Sequence, residues 1–146
     1  MIDPSSERAQ LTAERRQVGA DDLLMILVGW INSVAHETDV GLGVGLSVVV
    51  GGTVISGHLI GADDWLRKSA KSMNEGGRGP AASVNALLAK ALDTWRANIA
   101  ADPAPESAYL HLADVRILFA TGVTPLARSL WRVRLDEVQA WQLGSF

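Results

Sequence analysis

The sequence predicts an α+β domain: a small, strongly bent five-stranded antiparallel sheet or barrel of the SH3-like or Sm-like type, with an N-terminal helix and a two-helix insertion between strands 2 and 3. Three observations lead there. Two β-branched runs, residues 43–50 and 53–60, flank Gly51-Gly52. Apolar residues recur at helical spacing once before that pair of runs and twice after it. Strand-like alternation then returns in the last third, with turns between the runs rather than crossovers.

Residues 1–18 are rich in Ser, Glu, Arg and Gln, with too few apolar positions to fix a packed face, and read as a mobile or loosely helical tail. The single domain is expected over 19–146. Asp21 or Asp22 can cap a first helix, in which Leu23, Leu24, Leu27, Trp30, Ile31 and Val34 recur at helical spacing. Met25, Ile26 and Val28 widen that stripe. A helix apolar on more than one face calls for cover on more than one side, by the sheet and by another helix or a second subunit.

Past the polar break His36-Glu37-Thr38-Asp39, the two β-branched runs form the strongest hairpin signal in the chain. The favoured two-residue turns need positive φ, which glycine supplies at little steric cost. Gly57 inside the second run has no side chain to pack and marks a bend or bulge. Asp63 and Asp64 open a second helix through Trp65, Leu66, Ser69, Ala70 and Met73, which runs out in the loop 74–80. Pro80 suits the first turn of a third helix. There Val84, Leu87, Leu88, Ala91, Leu92, Trp95 and Ile99 form the cleanest amphipathic stripe in the chain.

From Tyr109 to Phe119 the pattern alternates. It assigns Leu110, Leu112 and Leu118 to one face and Tyr109, His111, Val115, Ile117 and Phe119 to the other. Residues 121–125 read as a turn. Leu130, Arg132 and Arg134 then alternate with Trp131, Val133 and Leu135, and Val138 to Leu143 gives a final strand.

A chain of 146 residues is long enough to bury one core. Its net charge of −3, with thirteen basic residues scattered among sixteen acidic ones, argues against a field able to neutralise a row of phosphates. The absence of cysteine excludes disulfides, thiolate metal sites and cysteine nucleophiles. No signal-peptide core stands near the start, so the expected location is the cytoplasm. The oiliest stretch, residues 23–35, falls short of the roughly 20 residues that span a bilayer and carries Asn32 and Ser33, which favours a buried helix over a membrane anchor.

Motifs for chemistry are sparse. His36 ends a helix, where an imidazole meets terminal carbonyls or solvent, while His58 and His111 fall on separate strands. None has metal-ligand spacing. Ser56, His58 and Asp114 can be assembled on paper into a triad, yet no GxSxG elbow accompanies them. Gly41-Leu42-Gly43-Val44-Gly45 resembles a phosphate loop but follows a helix and opens a strand, the reverse of a dinucleotide site. The loop ending at Gly79-Pro80 does open a helix beside Arg78, without the GK[ST] of a phosphate-binding loop. The sequence thus assigns no catalytic residue, metal site or cofactor.

Surfaces carry more information. Of the five tryptophans, Trp30 and Trp95 lie on helical stripes and read as core; Trp65 begins a helix, and Trp131 and Trp141 sit on the last strands. Tryptophan and arginine are enriched where partners meet, which singles out Trp131, Arg132 and Arg134. The alternative is a half-buried strand with a solvated arginine face. Arg67, Lys68, Lys71 and Arg78 form a second, modest basic cluster, whose default reading is a solvated helix end. Together with Trp65 and Trp141 these residues are the interaction candidates.

The run Gly45-Leu46-Ser47-Val48-Val49-Val50-Gly51-Gly52-Thr53-Val54-Ile55-Ser56-Gly57-His58-Leu59-Ile60, followed by Trp65-Leu66, resembles the hairpin of the gas vesicle accessory protein U family. Tyr109-Leu110-His111-Leu112, Trp131-Arg132, Val138 and Leu143-Gly144-Ser145-Phe146 are similar to that family's later strand and ending. Leu130 stands where the family pattern has a second aromatic, and Val133 where a glycine is common. The resemblance implies a non-enzymatic cytoplasmic protein connected with gas vesicles, acting by self-association and by contact with vesicle shell or other gas vesicle proteins. Two alternatives stay open: an Sm-like nucleic-acid module using Arg132 and Arg134, and a small hydrolase or ligand-binding protein using Ser56, His58 and His111.

Overall fold

The computed structural model describes residues 21–34, 43–75, 79–102, 104–126 and 129–146. The tail 1–18, His36, Gly41 and residues 76–78, Arg78 included, lie outside them. Helix α1 spans Asp22–Val34. Asp21 caps it: its carboxylate accepts the Leu24 N–H at 3.0 Å, and its own carbonyl accepts the Met25 N–H at 3.0 Å. Leu24, Val28 and Ile31, at i, i+4 and i+7, form the buried face. They join Leu46, Val48, Ile55, Leu59, Leu110, Leu112, Val115 and Val133 in the main core.

Strands β1, Val44–Val50, and β2, Thr53–Ile60, form the expected hairpin, with Val50 opposite Thr53. Gly51 and Gly52 turn it at φ 56° and 77°. Helices α2, Ala62–Glu75, and α3, Pro80–Ala101, follow as the insertion. Asn32 Oδ1 accepts the Ala62 N–H at 2.9 Å and so ties the end of α1 to the start of α2.

Four more strands complete the sheet: β3, Tyr109–Phe119; β4, Gly122–Pro125; β5, Leu130–Arg134; and β6, Ala140–Leu143. All pairings are antiparallel, in the order β4-β3-β2-β1-β6, with β5 also on β3. The sequence predicted five strands in a strongly bent sheet or barrel; among the described residues the sheet has six and is neither closed nor strongly curled. The extra strand is the stretch read as a turn. Only Ala120-Thr121 turns, since Phe119 already faces Gly122, and Pro125 is tolerated because β4 is an edge. β4 and β5 run end to end along one side of the long β3. They are joined at Val115, whose carbonyl accepts the Leu126 N–H at 2.9 Å and whose N–H donates to Ser129 Oγ at 3.1 Å. β6 pairs with β1 at the opposite edge. Closure would require those two edges to meet.

A bulge corrects the predicted faces of β3. Ser56 pairs with Arg116 and His58 with Ala113, so Asp114 and Val115 together oppose Gly57. Asp114 takes up the extra residue at φ 50°. Parity resets there: Val115 and Ile117 join the core face of Leu110 and Leu112, while Leu118 is exposed. The final strand also begins later than expected, at Ala140, after a short 3₁₀ turn over Leu135–Glu137.

Neighbouring strand residues face opposite ways. Leu110 and Leu112 meet the core under α1, and His111 between them meets Trp65 of α2, with ring centroids 5.4 Å apart. Helix α1 therefore covers one face of the sheet, α2 the other, and α3 packs on α2. Trp30 and Trp95, expected in the core, are 52% and 47% exposed. Trp30 stands on the side of α1 turned away from the buried Leu24, Val28 and Ile31, and Trp95 is half-covered, with its indole N–H held by Glu106.

Candidate functional site

Helices α2 and α3 leave an apolar groove between them, of about 560 Å³, walled by Trp65, Ser69 and Met73 from α2 and Leu88, Leu92 and Trp95 from α3, with Leu130 of β5 at its edge. A groove of that size and chemistry falls in the range of ordinary recognition sites. Among the described residues its lining carries no charged side chain. Arg96 holds the two walls together by spanning from α3 to Asp63 of α2, with Nη2 3.1 Å from Oδ2.

Below the groove lies a buried ionic seat built around Glu106, in the 3₁₀ segment Ala104–Ala108. Glu106 is 2% exposed. Its Oε1 accepts the Trp95 indole N–H at 3.2 Å and a hydrogen bond from Arg132 Nη2, and its Oε2 accepts from Arg132 Nε at 3.3 Å. Such a forked arginine–carboxylate pair is both strong and directional. The Arg132 guanidinium also stacks on the Tyr109 ring, 3.4 Å from its centroid. One carboxylate thereby fixes a wall of the groove through Trp95 and the edge strand through Arg132.

His111 completes the seat. It is 1% exposed, and its Nε2 lies 3.1 Å from Glu106 Oε2 without the alignment of a hydrogen bond. Burial pushes the imidazole down to about 4; the Glu106 carboxylate opposes that shift and the Arg132 guanidinium adds to it. Histidine here is a neutral, buried ring packed on Trp65. The Trp65 indole N–H is also buried with no partner among the described residues.

The interaction candidates fall in different environments. Trp65 walls the groove, and Arg67 pairs with Asp64 at 2.6 Å. Lys68 and Lys71 lie on the exposed side of α2, where Lys71 reaches Glu75 at 3.7 Å. Trp131 and Trp141 are half-buried and pack on the core. Trp141 also approaches Asp21, whose carboxyl is held below the usual range first by the Leu24 N–H and then by that indole. Arg132 is engaged by Glu106, and Arg134 pairs with Asp136. The fold therefore brings Trp65 and Arg132 to one locality, sets Lys68 in a depression that adjoins the groove through Ser72 and Leu130, and leaves Trp141 and Arg134 apart from both. Sequence reasoning missed Glu106, a single acid in a proline-rich link whose hydrogen-bond partners lie 11 and 26 residues away.

The residues imagined as a triad serve other ends. Ser56 is fully buried; its hydroxyl bonds to that of Ser47 at 3.0 Å and accepts the Phe146 N–H at 3.2 Å. The Ser47 hydroxyl in turn donates to the Gly144 carbonyl at 2.8 Å, so the two serines seat the chain after β6. His58 and Asp114 form an exposed pair 3.7 Å apart across the bulge. Among the described residues, no group of three or more His, Asp or Glu gathers as for a metal, and no helix is long and apolar enough to cross a membrane.

Among curated proteins and among solved structures, nothing matches the chain. A family model, that of the gas vesicle proteins described as GvpU-like, matches residues 21–146, which takes in every described element from the Asp21 cap to Phe146. The chain belongs to the GvpU-like family of gas vesicle proteins.

Proposed function

We propose that the protein is a non-catalytic gas vesicle accessory factor that self-associates and contacts vesicle shell or other gas vesicle proteins, promoting their assembly or clustering. The observation that carries this reading is the apolar surface left bare on two helices. Leu23, Met25, Ile26 and Trp30 of α1 and Val84, Leu87, Leu88 and Trp95 of α3 all stand exposed. Apolar patches of this extent, on an otherwise charged surface, mark places where another surface docks. The buried carboxylate adds support, because Glu106 is engaged structurally, by the Trp95 indole and the Arg132 guanidinium.

The nucleic-acid alternative is weakened at Arg132, which the buried Glu106 engages, while Arg134 stays exposed in a surface pair with Asp136. The test is sedimentation velocity over a range of concentrations, paired with co-sedimentation of the full chain with purified gas vesicles. Mass that rises with concentration and retention on vesicles are the expected results. A monomer at every concentration that stays free of vesicles refutes the reading.

A further inference from the structure

Two unlike apolar surfaces of this chain stand open, a helix stripe and a groove between two other helices. We infer that α1 of one copy docks its outer stripe, Leu23, Ile26 and Trp30, into the α2–α3 groove of a second copy, giving a head-to-tail contact. The inference rests on self-association being the protein's mode of action.

The stripe has the spacing i, i+3, i+7 by which an amphipathic helix enters an apolar groove. Ile26 at its centre is 68% exposed, and Gly29 beside it leaves open space for a close approach. The groove offers what such a helix needs: aromatic and aliphatic walls from Trp65, Met73, Leu88 and Trp95, with Trp95 already positioned by Glu106. Charge agrees at the ends. Helix α1 opens on the exposed Asp21 and Asp22, while Lys68 and Lys71 of α2 line a depression that adjoins the groove through Ser72 and Leu130, where Lys71 also reaches Glu75. Lys68 has no ion-pair partner among the described residues.

Area agrees as well. The exposed parts of the stripe with Met25, of Met73, Leu88 and Trp95 in the groove, and of Val84 and Leu87 toward the start of α3, come to on the order of 1,000 Å² of apolar surface, near the threshold for a specific interface. Helix α1 is held to its own sheet by Leu24, Val28 and Ile31, on the face opposite to α2 and α3, so its stripe turns away from its own groove. Because stripe and groove differ, the contact is heterologous. Each copy in a pair keeps one free stripe and one free groove, and growth continues into a ring or an open chain.

The test uses two full-length variants at exposed positions, Ile26→Glu on the stripe and Leu88→Glu in the groove. Leu23→Glu and Ala91→Glu serve as second choices, and thermal melts verify that each folds. In sedimentation velocity the wild type is expected to form species larger than a dimer, and each variant alone to run as a monomer. Mixed in equal amounts, the two variants are expected to form a dimer and nothing larger, through the intact stripe of the groove variant and the intact groove of the stripe variant. A mixture that stays monomeric overturns the inference. So does a groove variant that still dimerises alone, which would point to stripe against stripe. Loss of vesicle retention with unchanged self-association would assign the groove to the shell instead and equally overturn it. A wild type that never associates removes both this inference and the self-association reading, whereas association untouched by either variant removes this inference alone.

Discussion

At the scale of single residues, the most consequential placement is a neutral imidazole beside a buried carboxylate. His111 has an ordinary value near 6.5 when the chain is unfolded and about 4 when folded. Above pH 6.5 neither state binds the proton and the full stability is present. As pH falls below that, the unfolded chain takes up a proton that the folded one refuses, so stability declines from about 6.5 down to about 4. The expected loss between pH 7 and pH 5 is about 2 kcal/mol, read from urea midpoints, and it should vanish in a His111→Leu protein. A wild type with the same midpoint at both pH values would contradict a buried neutral ring. Glu106 is tested by removal. Glu106→Ala leaves the Trp95 indole and the Arg132 guanidinium without their shared acceptor, and should destabilise by about 2–3 kcal/mol. Arg132, partly open to water, can recover some hydration, which keeps the effect below that of a fully buried pair.

Single elements show where alternation along a strand can and cannot be read. The β1–β2 hairpin was legible because Gly51-Gly52 supplies positive φ between β-branched runs, a local signal for a local structure. The α1 cap was legible as one of two aspartates. Strand β4 was hidden: Gly122 and Pro125 are turn-formers by type, and only their position along the free side of β3 makes a strand of them. The faces of Val115 and Ile117 were misread for a different reason, since one inserted residue reverses a period of two for everything after it. Gly57 hinted at that bulge, but the extra residue sits across from it, at Asp114 on the neighbouring strand. A Cβ at Gly57 would meet the Ala113 carbonyl oxygen at 2.8 Å, which is backbone within the sheet and has little room to give. Gly57→Ala should therefore destabilise by about 1–3 kcal/mol in urea denaturation. A substitution without effect would mean that β2 and β3 separate freely at the bulge.

Across the whole molecule, periodicity identified the apolar stripes of α1 and α3 but not what lies over them, because a stripe looks the same in sequence whether it meets a core or a partner. Trp30 and Trp95 were placed in the core on that ground, and their exposure now makes them part of the surface to be explained. The groove was illegible for a related reason: Trp65 and Trp95 come from helices whose mutual packing is fixed by Arg96 with Asp63 and by Glu106, contacts no spacing rule anticipates. The family, by contrast, was legible in the hairpin and the closing residues. If apolar faces join the molecules, the dependence on salt should differ in sign from that of an assembly held by its basic residues. Ion pairs between exposed groups weaken within a Debye length that shrinks from about 10 Å at 0.1 M to about 3 Å at 1 M. Apolar burial is untouched by sodium chloride on that scale and is strengthened by sulfate. Raising sodium chloride tenfold should thus leave the sedimentation profile of the full chain unchanged or shifted to larger species, with sodium sulfate shifting it further. Dissociation to monomer in high salt would transfer the interface from the α1 and α3 stripes to the lysines and arginines of α2 and β5.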